Sequence, residues 1–258
     1  MNDLVGIYAI WLRELKVYFR EYSRIIGSVL TPLLWLLIVG KGIGASIDDS
    51  ESFGGVDYPS FIFPGILCMT VLFQSVFYGL YIVWDRKIDF LKEVLASPLN
   101  RSSIFIGKVL GGVTDSMIQV SIILFLGYFI FPDLVYTPRS LLLTYIFLFL
   151  LAVAMTSIGL IIGSRMESTE GFSLVTSLVV FPMYFLSGAL FLKKNLPDTL
   201  YYAAVANPVS YAVDAIRFTL IPNKIFEEFG LFEDFIVLSS LCLVLICIGT
   251  WFFKTMKL

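Results

Sequence analysis

Residues Leu141 to Gly163 read LLLTYIFLFLLAVAMTSIGLIIG, an apolar run without a single charged side chain. A helix rises ~1.5 Å per residue and the hydrocarbon of a bilayer is ~30 Å thick, so about 20 such residues suffice to cross it. Five further windows of the same character surround this one: Ile25 to Ile43, Phe61 to Trp84, Ile104 to Phe131, Phe172 to Leu192 and Phe235 to Phe253. In lipid a helix satisfies its own backbone hydrogen bonds. The windows therefore predict an all-α polytopic membrane protein with six transmembrane helices. They leave little chain for a soluble domain, so residues 1–258 are expected to form one membrane domain.

Composition agrees. The chain of 258 residues is 58% hydrophobic and only 15% charged, where a soluble domain carries about a quarter charged residues. Mean hydropathy is +0.89. Net charge is −2 and no basic run occurs outside the flanks of the spans, so a nucleic-acid partner has no electrostatic support. Histidine is absent, which removes imidazole metal sites and histidine-based nucleophile pairs. Cys68, Cys242 and Cys247 lie in apolar stretches without C-x-x-C spacing and read as packing residues. The N-terminal stretch is punctuated by Arg13, Glu14, Lys16, Arg20 and Glu21, unlike a cleavable signal.

Orientation follows from the retention of Lys and Arg on the cytoplasmic side. With both termini inside, twelve of the 18 basic residues fall on that side, against six on the other, where Asp48, Asp49, Glu51 and Asp57 cluster. Residues 1–24 carry Leu4, Ile7, Tyr8, Trp11, Leu15, Tyr18 and Phe19 at spacings of three and four, with Arg13, Lys16, Arg20 and Arg24 opposite. This predicts an interfacial amphipathic helix whose cations face lipid headgroups. In the cytoplasmic loop 85–103, Ile88, Leu91 and Val94 or Leu95 fall on one helical face, and Pro98 with Asn100 ends the segment. Pattern alone leaves two readings, a membrane-parallel helix or a solvated linker. Residues 193–222 are interrupted by Pro197, Pro208 and Pro222, predicting two short extracytoplasmic re-entrant helices that begin near Pro197 and Pro208.

No phosphate-binding G-x-x-x-x-G-K-[ST] loop occurs: Gly107-Lys108 is followed by Val109 and Gly40-Lys41 by Gly42. No catalytic or metal motif is visible either. Gly40 and Gly44, Gly107 and Gly111, and Gly159 and Gly163 form G-x-x-x-G pairs suited to close helix packing. Asp115 is the one carboxylate deep inside a span. It reads either as part of a substrate or proton path or as an interhelical hydrogen-bonding group.

The stretch Phe181-Pro182-Met183-Tyr184-Phe185-Leu186-Ser187-Gly188-Ala189-Leu190-Phe191, with Asn195-Leu196-Pro197 and Asn207-Pro208-Val209-Ser210-Tyr211-Ala212-Val213-Asp214-Ala215-Ile216-Arg217, closely resembles the C-terminal signature of type-2 ABC exporter permeases. The similarity is to the branch of the daunorubicin-resistance and nodulation-factor exporters. Asp85-Arg86-Lys87, Leu91 to Pro98 and Ile106 to Leu110 resemble the same family upstream. The resemblance implies a dimer of permeases, from a second copy or a paralogue, docked on separate ABC ATPase subunits that bind ATP and magnesium. The permease would sit in the inner (plasma) membrane, hold no cofactor and perform no catalysis itself.

On that resemblance the loop is a coupling helix, with Arg86, Asp89, Phe90, Glu93, Leu95 and Pro98 as the residues meeting the ATPase. Gln74, Tyr78, Tyr184 and Ser187, together with Asp115, are candidates for the substrate path. Gly188, Asn207, Pro208, Tyr211, Asp214 and Arg217 are the family signature. The expected cargo is an amphiphilic drug, lipid, glycolipid or polysaccharide moved outward. Two other classes remain in view: an ion-gradient-driven secondary transporter using Asp115, and a non-transporting membrane assembly protein.

Overall fold

A computed structural model describes residues 3–44, 56–193, 196–222 and 228–255, and every regular element among them is helical. The acidic cluster Asp48, Asp49 and Glu51, and Lys194, Asn195, Lys224 and Lys257, lie outside the described residues. The chain opens with α1 (Asp3–Arg20), breaks at Glu21, and continues as α2 (Tyr22–Trp35), a π-helical turn (Leu36–Lys41) and α3 (Gly42–Gly44). The axes before and after the break differ by 71°, so α1 does not simply extend the first span.

The second span combines α4 (Tyr58–Phe77) and α5 (Leu80–Lys87) and is followed by the short α6 (Phe90–Ala96). Asp57 caps α4 by accepting from the Ser60 N–H at 3.2 Å. Next come α7 (Arg101–Ile130), α8 (Pro138–Arg165), α9 (Thr169–Phe185), α10 (Asp198–Val205), α11 (Pro208–Leu220) and α12 (Leu231–Thr255). All six apolar windows fall on helical residues, the first divided among α2, the π-helical turn and α3 and the second between α4 and α5. Among the described residues, Tyr58–Lys87, Arg101–Ile130, Pro138–Arg165 and Leu231–Thr255 are long and apolar enough to cross a membrane.

The fifth window differs from its expected extent. Helix α9 has 17 residues and stops at Phe185 instead of reaching Leu192. The Leu186 N–H still bonds the Pro182 carbonyl, but the Ser187 hydroxyl donates to the Tyr184 carbonyl at 2.6 Å and accepts from the Ala189 N–H at 3.2 Å. Gly188 then takes φ +75°, a left-handed conformation that turns the chain out of the helix. Helices α10 and α11 begin at the two expected prolines: Pro197 caps α10, and Pro208 occupies the first turn of α11. The second of them is embedded, packed against α4, α8 and α12.

Helix α8 is the hub, in contact with α4, α5, α7, α9, α11 and α12. Without a hydrophobic driving force between helices in lipid, close packing of small residues has to hold them. The turn at Tyr78-Gly79 between α4 and α5 lies directly on α8. A Cβ built on Gly159 would collide with the Val76 carbonyl, and one on Gly163 with the Gly79 carbonyl. Gly107 and Gly111 likewise face α1, so these glycine pairs serve packing within the chain. Arg101 donates to the Lys254 carbonyl at 3.0 Å, and Asn100 to the Asp3 carboxylate at 2.9 Å. Both described ends of the chain thus lie on one face, the terminal face.

Candidate functional site

The terminal face is organised by a buried ring of charges. Glu14, Asp85 and Lys108 are each no more than 3% exposed. Lys108 Nζ donates to Asp85 Oδ2 at 2.6 Å and to Glu14 Oε1 at 3.0 Å. Arg13 closes the ring, donating to Glu14 Oε1 at 2.7 Å and Asp85 Oδ1 at 2.9 Å. Two cations balance two carboxylates, the condition under which buried ions are tolerated. Burial alone would raise the Glu14 pKa, but the pull of Lys108 and of Arg13 outweighs it and holds the carboxyl below its ordinary range.

Small residues make this geometry accessible. A Cβ on Gly107 would lie 2.9 Å from Ile10 Cβ, and one on Gly111 would lie 2.8 Å from Glu14 Cβ, so only glycine lets α1 lie this close to α7. Trp11 Nε1 adds a bond to Thr114 Oγ1 at 2.9 Å. Lys16 and Arg20 are exposed as expected, whereas Arg13 is not turned toward lipid headgroups: its charge is consumed by Asp85 and Glu14. Tyr18 is also buried, while Leu4, Tyr8 and Phe19 stay exposed.

Helix α6 hangs from this ring. The Arg13 guanidinium lies 4.0 Å from the centre of the Phe90 ring, a cation–π contact. Leu91 is buried, and Leu95 packs partly against the core. Ile88, expected on the same face, is 69% exposed instead. The helical rotation is interrupted between them, where Asp89 adopts φ +59°. Asp89 is itself exposed and pairs with Lys92 at 2.7 Å, and Glu93 and Pro98 are exposed too. Arg86 points the other way, donating to the carbonyls of Met166 and Ser164, both at 2.7 Å. It ties the end of α5 to the link between α8 and α9.

On the opposite face, the signature residues brace the ends of helices. Asn207 accepts the Val209 N–H at 3.1 Å, capping α11, while its amide donates to the Met183 carbonyl at 2.5 Å. Tyr211 donates to the Val205 carbonyl at 2.9 Å and stacks on Phe229. Asp214 accepts from the Phe229 N–H at 2.9 Å. Arg217 donates to the Gly188 carbonyl at 3.0 Å and lies over the Phe61 ring. Lys193 pairs with Glu228 at 2.7 Å. Asn207→Ala removes both a cap and a long-range bond, so a loss of about 1–2 kcal/mol is expected. Thermal unfolding in detergent checks this, and an unchanged midpoint would contradict the bracing role.

Between α2, α4, α7 and α9 lies a cavity of about 410 Å³, whose lining includes Gln74, Trp35, Phe73 and Phe181. Tyr78, Asp115, Tyr184 and Ser187 are not among its lining residues. Tyr78 is wedged against Gly111 and Gly112. Asp115 is 1% exposed on α7, next to Ser116, whose hydroxyl lies 2.8 Å from that of Ser75. Tyr184 meets Trp35 and Phe73 edge-on. The structure thus sets Phe90 against the charged ring and turns Arg86 toward the α8–α9 link, and of the path candidates Gln74 alone lines the cavity.

The family model for the ABC-2 type transporter matches residues 5–221, from the first turn of α1 to just past α11. The chain belongs to the ABC-2 type transporter family. Similar proteins include the inner membrane transport permease YadH of Escherichia coli, 27% identical over 243 residues covering 90% of this chain and 91% of YadH. The protein ycf38 of Cyanophora paradoxa is 30% identical over 219 residues, covering 83% and 73% of the two chains. Nodulation protein J of Rhizobium leguminosarum bv. viciae is 24% identical over 224 residues, covering 84% and 83%. This ABC-2 chain is accordingly a multi-pass membrane transport permease, and both α6 and the signature fall within the matched range.

The charged ring escaped sequence reasoning. Lys108 inside an apolar window was the available signal, since a cation there requires acidic partners. Nothing local indicated that Glu14 and Asp85, 94 and 23 residues away, would supply them.

Proposed function

We propose that this chain is the membrane subunit of an ATP-driven exporter in the inner (plasma) membrane, with both termini cytoplasmic. A separate ABC ATPase binds ATP and magnesium and docks on α6. The observation carrying this reading is the anchoring of α6: Leu91 and the Arg13–Phe90 contact hold one side, leaving Asp89, Lys92, Glu93 and Pro98 bare on the terminal face. A second permease copy or a paralogue would cover the exposed apolar side chains of α2 and α9, among them Ile26, Leu30, Leu174 and Leu178. The cargo is an amphiphilic drug, a lipid, a glycolipid or a polysaccharide, the class that the resemblance to type-2 exporter permeases implies.

The test is capture of the tagged full chain from its own membranes. The eluate is expected to hydrolyse ATP. Changing Phe90→Ala, Glu93→Arg and Leu95→Ala together is expected to cut the captured hydrolysis about thirtyfold, as truncating a hot spot does. The elution volume of the permease should stay unchanged. Full retention of hydrolysis in the triple variant counts against docking on α6.

A further inference from the structure

Three element ends meet on the face opposite the terminal one and frame a second cavity, of about 430 Å³. Helix α2 and its π-helical turn finish at Lys41, Asp57 precedes α4, and Asp133 lies just past the end of α7. These are the charged side chains of the lining, and all three are exposed. Among the described residues none of them belongs to an ion pair. Asp57 commits Oδ1 to the Ser60 N–H.

Below this rim the walls are apolar. Leu33, Leu36 and Leu37 line one side, and Leu126, Ile130 and Phe131 the other. Leu33 stands eight residues before Lys41, so the apolar wall runs ~12 Å from the charged rim into the bilayer. Leu37 and Ile130 are 50% and 49% exposed, which opens the groove sideways to lipid. The π-helical turn serves this alignment. In a regular α-helix each step of four residues advances the side chain by about 40°, which would fan out Leu33, Leu37 and Lys41. The wider winding over Leu36–Lys41 takes back that advance, and all three line one cavity.

The lining selects its occupant. An alkyl chain matches the walls, and the rim sets one cation beside two carboxylates. An anionic headgroup would meet a net negative rim. Carboxylates only accept hydrogen bonds; a primary ammonium offers them three donors, and a trimethylammonium offers none. A trimethylammonium calls for an aromatic cage, whereas Phe131 is the single aromatic residue of this lining. Lys41 suits a phosphate.

We infer that this cavity holds one phospholipid of the leaflet opposite the terminal face, a zwitterion whose phosphate meets Lys41 and whose primary ammonium meets Asp57 and Asp133. One acyl chain lies along Leu33, Leu37, Leu126 and Ile130. The site shares no lining residue with the cavity that contains Gln74; its lipid stays with the fold and is separate from any cargo.

The test is native mass spectrometry of the full chain released from detergent micelles and titrated with three phospholipids of identical acyl chains. Their heads are phosphoethanolamine, phosphocholine and phosphoglycerol. The first is expected to fill one site about fivefold more tightly than the other two, the worth of one exposed charge pair. Asp57→Asn combined with Asp133→Asn should erase the preference over phosphocholine. Asparagine caps a helix about as well as aspartate, so α4 keeps its start. Lys41→Gln should weaken binding of the phosphoethanolamine lipid by a similar factor. A diazirine in the middle of its acyl chain should label peptides from residues 33–37 or 126–130. Every substituted side chain is exposed, so the variants should elute as the parent does. Equal affinity for the three lipids, tighter binding of phosphoglycerol, an undiminished preference in the double variant, unchanged binding by Lys41→Gln, or labelling confined to other helices would overturn the inference. It goes beyond the exporter reading and needs no ATPase, so either can fail without the other.

Discussion

Replacing Lys108 by methionine is expected to destabilise the protein by about 3–5 kcal/mol, the cost of leaving a buried ionic pair without one partner. In Lys108→Met the Glu14 and Asp85 carboxylates stay buried with Arg13 alone to balance them. A fall in melting temperature on the order of 10 °C follows for a chain of this size. Methionine keeps most of the lysine's apolar volume, so lost packing contributes little. The control is a neutral ring, Arg13→Met, Glu14→Gln, Asp85→Asn and Lys108→Met combined. Swapping a whole buried ion cluster for neutral groups is often close to harmless. Most of the lost stability should therefore return in the fourfold variant. A single Lys108→Met variant as stable as the parent would show that the ring is not closed as described.

The second large effect is at the contact of the α4–α5 turn with α8. Gly159→Leu places a branched side chain where the Val76 carbonyl lies, and Gly159→Ala already meets it. Backbone cannot yield as a flexible side chain can, so the helices must separate. Overpacking costs about 1–3 kcal/mol even where neighbours adjust. Gly159→Leu is expected not to accumulate as a folded, monodisperse protein in the membrane fraction. Gly159→Ala should accumulate poorly. Gly27→Ala is the matched control, since nothing lies within 4 Å of a Cβ built there. It should be neutral or mildly stabilising, as alanine favours helix over glycine by about 1 kcal/mol. Normal yield and elution of Gly159→Leu would refute the close contact.

What could be read in advance was local. Apolar windows locate helices because lipid enforces internal hydrogen bonding, and prolines locate the starts of α10 and α11 because the ring suits the first helical turn. The early end of α9 was illegible, since the apolar run continues through Phe191. It is set by the φ of Gly188 and by Asn207, whose amide takes the Met183 carbonyl from 24 residues away. Ile88 and Leu91 share a face only in an uninterrupted helix, and a left-handed Asp89 cannot be read from spacing. At the candidate site, the short helix α6 was suggested by pattern and by resemblance. The partners of Arg13 depend on which helices meet, and helical periodicity does not state that.

Arg86 also ties two distant parts of the chain together mechanically. Its two bonds fix the end of α5 to the Ser164–Met166 link, from which α9 starts. Arg13 fixes Phe90 to α1, which leads into α2. Helices α2 and α9 supply facing flanks of the cavity, through Trp35 and Phe181. Arg86 at the end of α5 and Phe90 at the start of α6, separated by three residues across the Asp89 break, thus hold two tethers, one leading toward each flank. A displacement of the segment from Arg86 to Phe90 is therefore expected to load α2 and α9 together, from a point that lies outside the cavity between them.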